Sequence, residues 1–297
     1  MKVGAKLRNY GAGASVRRVL EEAQRAEAAG FDSVWLSDHI VMPRSTRAAY
    51  PYARGGKVTW ELAEPWLEPV IVLAALAAVT RRVALGTAVL VVGLREPVNL
   101  AKQLACIDQL AGHRLVLGVG DGWLKEELEL FGCQFEDRRA YTDLVLEKMG
   151  EVWSGELAQR RDGTELRFVA EPRPPGPIPV LLGGASDSVF SRIARHRHGW
   201  LPLHHGAGAA AAVRSGLARI AAYGPKAGPG EGGDAIETRT RVVLNAGRAG
   251  EIIAELEELA ALGVSEVLVD ADFDRDDGPM EVLARVQEAA DARQGQV

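Results

Sequence analysis

The sequence predicts an α/β fold, a (β/α)₈ TIM barrel that takes in residues 1–297 as one domain. Short apolar segments rich in Val and Leu alternate with amphipathic helical patterns, and each kind occurs eight times. The length of 297 residues suits eight βα units with insertions. An open, doubly wound sheet is the alternative, but none of the apolar segments has the charges or the shortness that are typical of edge strands.

The elements follow in order from these patterns. The strands are apolar runs bounded by Gly, Pro or charged residues, at 3–7, 33–36, 83–89, 115–119, 179–182, 199–203, 240–245 and 266–269. In the first helix Val16, Val19 and Leu20 recur at helical spacing, Ser15 is placed to cap it, and Gly30 ends it. The other helices are predicted at 67–79, 96–110, 138–153, 187–197, 208–222, 249–261 and 279–292.

Two connections are longer than ordinary loops between strands and helices. Residues 40–66 follow the second strand, at the end where barrel active sites are built, so we expect a lid or pocket wall there. An ordinary aromatic cluster is the alternative. The aromatic residues of this insertion are Tyr50, Tyr52, Trp60 and Trp66. Residues 154–178 precede the fifth strand, and Asp162-Gly163 indicates the turn of an inserted hairpin.

Composition and charge exclude several classes of protein. Thirty-five Lys and Arg against 40 Asp and Glu give a net charge of −5, which argues against nucleic-acid binding. The purest apolar run, residues 70–79, is short of the ~18 residues that a membrane-spanning helix needs, and the N-terminal residues lack a signal-peptide pattern. Cys106 and Cys133 have neither disulfide nor metal-ligand spacing. We therefore expect a soluble cytoplasmic protein with no nucleic-acid or membrane partner.

The second strand is followed directly by Asp38 and His39. In a barrel, chemistry is built where strands end, and imidazole titrates near neutrality, so His39 is the first candidate for a proton donor or acceptor. Asp38 can orient it. The alternative is that Asp38 caps local backbone and His39 packs. A metal site formed with His204 and His205, after the sixth strand, is discounted because no HxH follows the first strand, and we expect no metal.

The fifth strand ends at Gly183-Gly184 and leads straight into a helix. Glycine lets backbone N–H groups approach an anion closely, and the helix N-terminus adds partial positive charge, so a phosphate fits this turn. A tight turn would need the same glycines, which is the alternative. Arg192 and Arg195 on the following helix either add charge or lie in solvent.

The third and fourth strands supply the remaining candidates. Thr87 and Ala88 are small residues at the rim of the third strand, as a flat ring lying against it would require. Residues 118–123 resemble half of a dinucleotide fingerprint, but no acidic residue closes a second strand at the required distance, so that interpretation is rejected. We expect this turn instead to face a ligand through Asp121, Trp123 and Glu126.

Several stretches in combination resemble the luciferase-like monooxygenase superfamily and, more narrowly, its F420-dependent oxidoreductases. They lie within about residues 30–200 and include AEAAGFDSVWLSDHI, RLVLGVGDGWLKEELELFG and PIPVLLGGASDSVFSRIARHRHGWLP. The resemblance implies a barrel whose mouth holds coenzyme F420, a deazaflavin, or alternatively FMN. It also implies a non-prolyl cis peptide between residues 87 and 89. The residues that it assigns to the cofactor are Asp38, His39, Thr87, Ala88, Asp121, Glu126, Gly183 and Gly184.

The same resemblance implies hydride transfer between F420 and a small organic substrate, with His39 and Asp38 as the catalytic residues. An FMN-dependent monooxygenase that uses O₂ is the alternative, and a non-catalytic F420-binding protein is a second one. The family's glucose-6-phosphate dehydrogenases carry Glu where this chain has Trp123, so we expect an apolar or aromatic substrate against Trp66, Trp123 and His204. A homodimer is a further expectation. The anionic tail of F420 would meet Arg44, Arg47, Arg54 and Lys57.

Overall fold

The computed structural model describes residues 1–46, 48–51, 56–58, 61–161, 164–205, 207–224, 240–245, 249–271, 273 and 277–294. Strands and helices alternate along these residues. In chain order the elements are β1 (Lys2–Leu7), α1 (Val16–Ala29), β2 (Ser33–Leu36), α2 (Pro69–Val79), β3 (Ala84–Val91), α3 (Pro97–Leu110), β4 (Leu115–Gly120), α4 (Lys125–Leu130), α5 (Arg138–Ser154), β5 (Ala158–Arg161), β6 (Thr164–Arg167), β7 (Val180–Gly183), α6 (Asp187–His196), β8 (Gly199–Leu201), β9 (Leu203–His205), α7 (Ala209–Tyr223), β10 (Arg241–Asn245), α8 (Ala249–Ala261), β11 (Glu266–Ala271) and α9 (Gly278–Gln294).

The main sheet is parallel and closes on itself. Its strand order is β8-β7-β4-β3-β2-β1-β11-β10-β9. β8 and β9 are two halves of one strand, separated only by Pro202; β8 pairs with β7, and β9 pairs with β10. The Val243 N–H donates to the Pro202 carbonyl at 2.9 Å across this junction. The predicted TIM barrel is therefore confirmed, with Pro202 interrupting the sixth strand because proline has no N–H for the ladder.

A β-hairpin and a short helix are inserted among the βα units of the barrel. β5 and β6 pair with each other in antiparallel fashion, as the turn sequence between them predicts, although Asp162 and Gly163 lie outside the described residues. α4 (Lys125–Leu130) was not predicted. Its sequence KEELEL is one and a half turns long, which is too short for a helical pattern to emerge. It nevertheless brings the loop after β4 back over the barrel mouth.

The lower part of the barrel, toward the amino ends of the strands, is filled with side chains. Trp35 lies there in an apolar interior cluster, and Gly86 leaves room for its ring, since a Cβ at Gly86 would overlap the indole. Below it Arg241 pairs with Glu266 at 3.0 Å, and burial raises the pKa of Glu266. Because the described side chains fill this end, we expect a ligand to bind at the carboxyl ends of the strands.

The helices form the outer layer and bury their apolar faces against the barrel. In β1 the side chains of Val3, Ala5 and Leu7 are buried against this layer, and Gly4 and Lys6 face the barrel interior. Ser15 caps α1 by accepting from the Arg18 N–H, and Gly30 ends it with φ +99°, both as predicted. Across the described ranges, no helix has the length and apolar character that crossing a bilayer requires.

Candidate active site

A cavity of about 530 Å³ opens at the carboxyl ends of the barrel strands. It has an apolar floor, one end at the turn between β7 and α6, and an aromatic wall on the side of β1 and β2. The residues that line it are Lys6, Tyr10, Ser37, Asp38, His39, Ala49, Tyr50, Pro51, Trp66, Ala88, Val89, Val91, Gly120, Asp121, Gly122, Trp123, Phe135, Arg138, Arg139, Gly183, Gly184, Ala185, Ser186, Val189, Leu201, Leu203 and Val243.

His39 is buried in the wall of this cavity with both ring nitrogens hydrogen-bonded. Its Nδ1 lies 2.7 Å from Glu127 Oε2, and its Nε2 lies 3.2 Å from the indole Nε1 of Trp123. An indole N–H can only donate, so Nε2 is the acceptor and carries no proton. Nδ1 therefore carries the proton of the neutral ring and donates it to Glu127. The contacts thus fix one tautomer of His39, with its basic nitrogen on the Trp123 side.

Glu127, which sequence reasoning missed, is the carboxylate that holds this imidazole. It is 3% exposed, and its Oε1 accepts the N–H groups of Ile40 at 2.7 Å and Val41 at 3.1 Å. Glu127 thus fixes both the ring of His39 and the backbone that follows it. The predicted neighbour, Glu126, is exposed, accepts from Thr46 Oγ1 at 2.9 Å and is not among the described residues that line the cavity. α4 is too short for its sequence to show which of the two glutamates turns inward.

Asp38 lines the cavity, and the hydrogen bonds of its carboxylate lead to Arg95 and Val91, whereas Glu127 holds the His39 ring. Its carboxylate accepts from Arg95 Nη1 at 2.6 Å and Nη2 at 2.9 Å, and from the Val91 N–H at 2.8 Å. Arg95 also pairs with Glu68. Burial raises the pKa of Asp38 although Arg95 opposes the shift. The bidentate pair ties the end of β2 to the end of β3 and so supports the wall in which His39 lies.

The floor of the cavity is a bulge in β3. The Ala88–Val89 peptide bond is cis, which confirms the prediction from the family resemblance, and the register with β4 shifts between Thr87 and Leu90. A Cβ at Gly120 would lie 2.5 Å from Val89 Cγ2, and one at Gly183 would lie 2.9 Å from its Cγ1. The absence of side chains at these two glycines therefore leaves the space that the Val89 side chain occupies.

Thr87 itself does not line the cavity. Its side chain is fully buried, and its Oγ1 donates to the Gly118 carbonyl at 2.8 Å. Ala88, the other predicted residue of this strand, does line it. The contribution of β3 to the cavity surface is thus made by Ala88, Val89 and Val91.

We call the turn between β7 and α6 the anion end of the cavity; it comprises Gly183, Gly184, Ala185 and Ser186. Gly184 has φ +100°, a conformation that favours glycine, and the Ser186 hydroxyl accepts from the Val189 N–H at 3.4 Å to cap α6. The N-terminus of α6 therefore points toward the cavity with its partial positive charge.

Two arginines that sequence reasoning missed, Arg138 and Arg139, also line the cavity. Arg138 packs its guanidinium 3.8 Å from the ring centre of Phe135. Arg139 is exposed and has no ion pair or hydrogen bond with any residue that the structure describes. Both come from the start of α5, whose approach to the barrel mouth depends on the fold. The cavity lining thus contains two guanidinium groups in addition to the α6 N-terminus.

The arginines that the sequence did suggest lie elsewhere. Arg192 is buried and pairs with Asp121 at 2.9 Å and with Asp143 at 2.7 Å, so it holds Asp121 at the cavity wall and its own charge is compensated. Arg195 is exposed and lies outside the cavity lining as described. Arg44 and Lys57 are likewise not among the described residues of the lining, and Arg47 and Arg54 lie outside the described part of the chain.

Four aromatic side chains, which we call the aromatic chamber, surround His39 and the space in front of it: Tyr10, Tyr50, Trp66 and Trp123. The Tyr10 and Trp66 rings are stacked at 4.3 Å, and Trp66 meets His39 edge to face at 4.6 Å. Tyr50 and Trp123 meet at 5.1 Å. The prediction that the insertion supplies a pocket wall thus holds for Tyr50 and Trp66, whereas Tyr52 and Trp60 lie outside the described residues.

His204, the third predicted residue of the substrate pocket, is not in the described lining of the cavity. Its Nε2 lies 3.1 Å from the Ala207 carbonyl oxygen, so the ring turns back onto its own loop. Leu203, one position earlier on β9, faces the cavity instead. The sequence placed this strand end at the mouth but did not show which side chain turns inward.

The family described as luciferase-like monooxygenase matches residues 2–293 of the chain. An uncharacterized protein of Mycobacterium tuberculosis is 34% identical over 190 residues, which cover 63% of this chain and 64% of that protein. An F420-dependent glucose-6-phosphate dehydrogenase of Amycolatopsis mediterranei is 32% identical over 191 residues, or 62% of this chain and 53% of the relative. The chain therefore matches less than two thirds of the length of these curated relatives.

Solved structures show the same fold. An F420-dependent secondary alcohol dehydrogenase in complex with an F420-acetone adduct superimposes with a TM-score of 0.69 at 16% identity, over 96% of this chain and 98% of that one. The oxygenating constituent of 3,6-diketocamphane monooxygenase from Pseudomonas putida, in complex with FMN, gives 0.72 at 14% identity over 96% of both chains. At these identities the likeness extends to the fold alone.

Proposed function

The chain belongs to the luciferase-like monooxygenase family, and we propose that it is an oxidoreductase that transfers a hydride between coenzyme F420 and a small organic substrate. The observation that carries the proposal is the order of surfaces along one cavity. The anion end follows β7, the apolar floor around Val89 belongs to β3, and His39 follows β2, so these surfaces succeed one another in the strand order β7-β4-β3-β2-β1. A deazaflavin presents matching groups, since it has a phosphate-bearing chain and a flat ring.

The cavity residues fit such a cofactor on several counts. The Gly183-Gly184 turn and the α6 N-terminus suit a phosphate, and Ala88 and Val89 offer a small, apolar surface for one face of a ring. Asp121 lies between the Gly183-Gly184 turn and Val89 and is held by Arg192. Its carboxylate is therefore placed to accept hydrogen bonds from hydroxyl groups of the cofactor's phosphate-bearing side chain. Asp38 supports the ring end through Arg95. Glu126 has no supporting contact with the cavity.

F420 is supported over FMN by two arginines in the lining of the cavity. FMN terminates in its phosphate, whereas F420 continues into an anionic glutamate tail. The α6 N-terminus already suits one phosphate, and exposed Arg139, which also lines the cavity, has no ion-pair partner among the described residues. Arg138 adds a second guanidinium. The relative named as an F420-dependent dehydrogenase, at 32% identity, supports the same choice.

When bound, F420 supplies a ring carbon that accepts or gives a hydride. The protein must then handle the proton that accompanies the hydride. His39 Nε2 is the unprotonated nitrogen of a ring held in one tautomer, and it faces Trp123 in the chamber. A substrate hydroxyl can replace the Trp123 indole as the donor to Nε2, because both groups donate one hydrogen bond.

During alcohol oxidation His39 Nε2 would accept the hydroxyl proton, and in the reverse direction it would return it. The ring becomes a cation when it takes the proton. Glu127, 2.7 Å from Nδ1, stabilises that cation in a buried position. The aromatic chamber excludes water from this step and favours an apolar or aromatic substrate body.

Replacing Gly184 with Ala is expected to weaken F420 binding about tenfold or more, because a side chain at φ +100° shifts the turn that faces the phosphate. Fluorescence titration with F420 measures this. Gly112→Ala is the matched control, since Gly112 also has positive φ, with no atom near its missing Cβ, and precedes β4 at the opposite end of the barrel. Equal F420 affinities of Gly184→Ala and Gly112→Ala would show that the phosphate does not bind at the Gly183-Gly184 turn.

The function is tested by following the absorbance of oxidised F420 while the protein is mixed with a panel of secondary alcohols in the absence of O₂. Bleaching that depends on the protein and on one alcohol supports hydride transfer. In a separate assay with O₂ present, consumption of O₂ with reduced FMN, together with no bleaching of F420 in the first assay, would favour the monooxygenase alternative. Tight F420 binding without turnover for any substrate would favour a cofactor-binding protein.

A further inference from the structure

A buried ammonium group lines the cavity on the side opposite the anion end. Lys6 lies near the end of β1, and its side chain is 7% exposed. In the closed ring, β1 lies four strands from β7 in either direction, so the two strands face each other across the barrel. A cofactor whose phosphate lies at β7 and whose ring lies on β3 leaves the β1 side for the substrate.

Lys6 has donors that no described residue accepts. Its Nζ lies 3.0 Å from Asp270 Oδ1 and 5.6 Å from the ring centre of Tyr10. An ammonium group has three N–H donors, and among the described residues Asp270 is its only hydrogen-bond partner. Leaving charged donors unsatisfied in a buried site is costly. The remaining donors are therefore available to a ligand oxygen in the chamber.

The local charges favour an uncharged oxygen over a carboxylate. The Lys6 ammonium group already pairs with the carboxylate of Asp270, so a carboxylate ligand on the same nitrogen would be repelled by that charge. A carbonyl or hydroxyl oxygen would not be. Burial favours the neutral amine, but Asp270, Tyr10 and Tyr50 together outweigh it and raise the pKa of Lys6, so the group stays a cationic donor at neutral pH.

We propose that Lys6 donates a hydrogen bond to a carbonyl or hydroxyl oxygen of a substrate whose apolar body lies in the aromatic chamber. This assignment rests on the proposed function, because that function places the cofactor between β7 and β3. Tyr10 connects the two parts of the site, since its ring faces Lys6 and stacks on Trp66. Lys6 thereby selects substrates that carry a carbonyl or hydroxyl oxygen, and the aromatic chamber selects substrates that carry an apolar ring.

Binding of four probes tests the proposal: acetophenone, 1-phenylethanol, ethylbenzene, which lacks the oxygen, and benzoate, which is charged. Ligand-observed NMR gives their dissociation constants with and without F420. In Lys6→Met, acetophenone and 1-phenylethanol are expected to bind about tenfold more weakly, and ethylbenzene within about twofold of wild type. Lys2→Met is the matched control, since Lys2 is the exposed residue at the other end of β1.

The double variant Lys6→Met/Asp270→Asn removes both charges and gives the same test should the single variant fold poorly. Equal losses for acetophenone and ethylbenzene, or no preference between them in the wild type, would overturn the proposal. So would benzoate binding more tightly than acetophenone, or a tenfold loss of F420 affinity in Lys6→Met. Failure of the wild type to bind F420, with the Lys6-dependent preference for acetophenone intact, would refute the proposed cofactor alone.

Discussion

The Glu127→Gln variant is expected to turn over about a hundredfold more slowly than the wild type while it still binds F420. Three N–H groups converge on the two oxygens of Glu127: those of His39 Nδ1, Ile40 and Val41. Glutamine replaces one oxygen with an NH₂ group, which must then face at least one of these donors. Either the tautomer of His39 reverses and Nε2 ceases to be an acceptor, or the backbone after His39 shifts.

Steady-state kinetics and nitrogen NMR of the His39 ring measure this effect. The fall is expected in kcat, with KM changing much less, and the ring of the variant should lose the signature of the Nδ1-protonated form. Glu129→Gln is the matched control, because Glu129 lies on the same helix, is exposed and pairs with Lys125. Turnover of Glu127→Gln within threefold of this control would show that Glu127 does not position His39.

The Arg95→Met variant is expected to lose about 3–5 kcal/mol of unfolding free energy at neutral pH, because it leaves a buried carboxylate without its partner. The side chain of Asp38 is fully buried and accepts two hydrogen bonds from Arg95. Guanidinium unfolding measures the loss. Arg17→Met is the control, since Arg17 pairs with Glu21 in solvent and should change stability little. A loss as small as that of Arg17→Met would contradict the account.

The pH dependence of the same variant follows from the raised pKa of Asp38. Arg95 opposes that rise, so its removal raises the pKa further. An acid whose pKa is higher in the folded than in the unfolded state destabilises the fold above its folded pKa, and protonation relieves the cost as pH falls. The deficit of Arg95→Met should therefore shrink from neutral pH toward the ordinary pKa of Asp, about 4. Arg95→Met/Asp38→Asn should recover most of the loss at pH 7.

The strand ends could be predicted from the sequence because glycine and β-patterning act locally. The Gly183-Gly184 pair predicts a tight turn into a helix. The small residues of β3 fit the bulge that contains the cis Ala88–Val89 bond. His39 follows β2 directly. Each of these features depends on residues that are adjacent in the chain, and the closed parallel barrel then brings them to one mouth.

The partners of these residues could not be predicted, because they come from distant elements. Arg95 lies 57 positions after Asp38, and Glu127 lies 88 after His39. Both approach through connections with no pattern of their own, a single helical turn after β3 and the short α4. Lys6 lies in a strand whose neighbouring residues, Val3 to Ala5 and Leu7, suggest only burial. Its inward direction follows from the pleat of β1 once the barrel is closed.

The central claim is that the cavity takes F420, and equilibrium titration of the purified protein with F420 and with FMN tests it most directly. Tryptophan fluorescence reports both ligands, since Trp66 and Trp123 line the cavity. The account predicts saturable binding of F420 and at least about tenfold weaker binding of FMN, because only F420 has a tail for Arg138 and Arg139. Saturable FMN binding with none for F420 would contradict it.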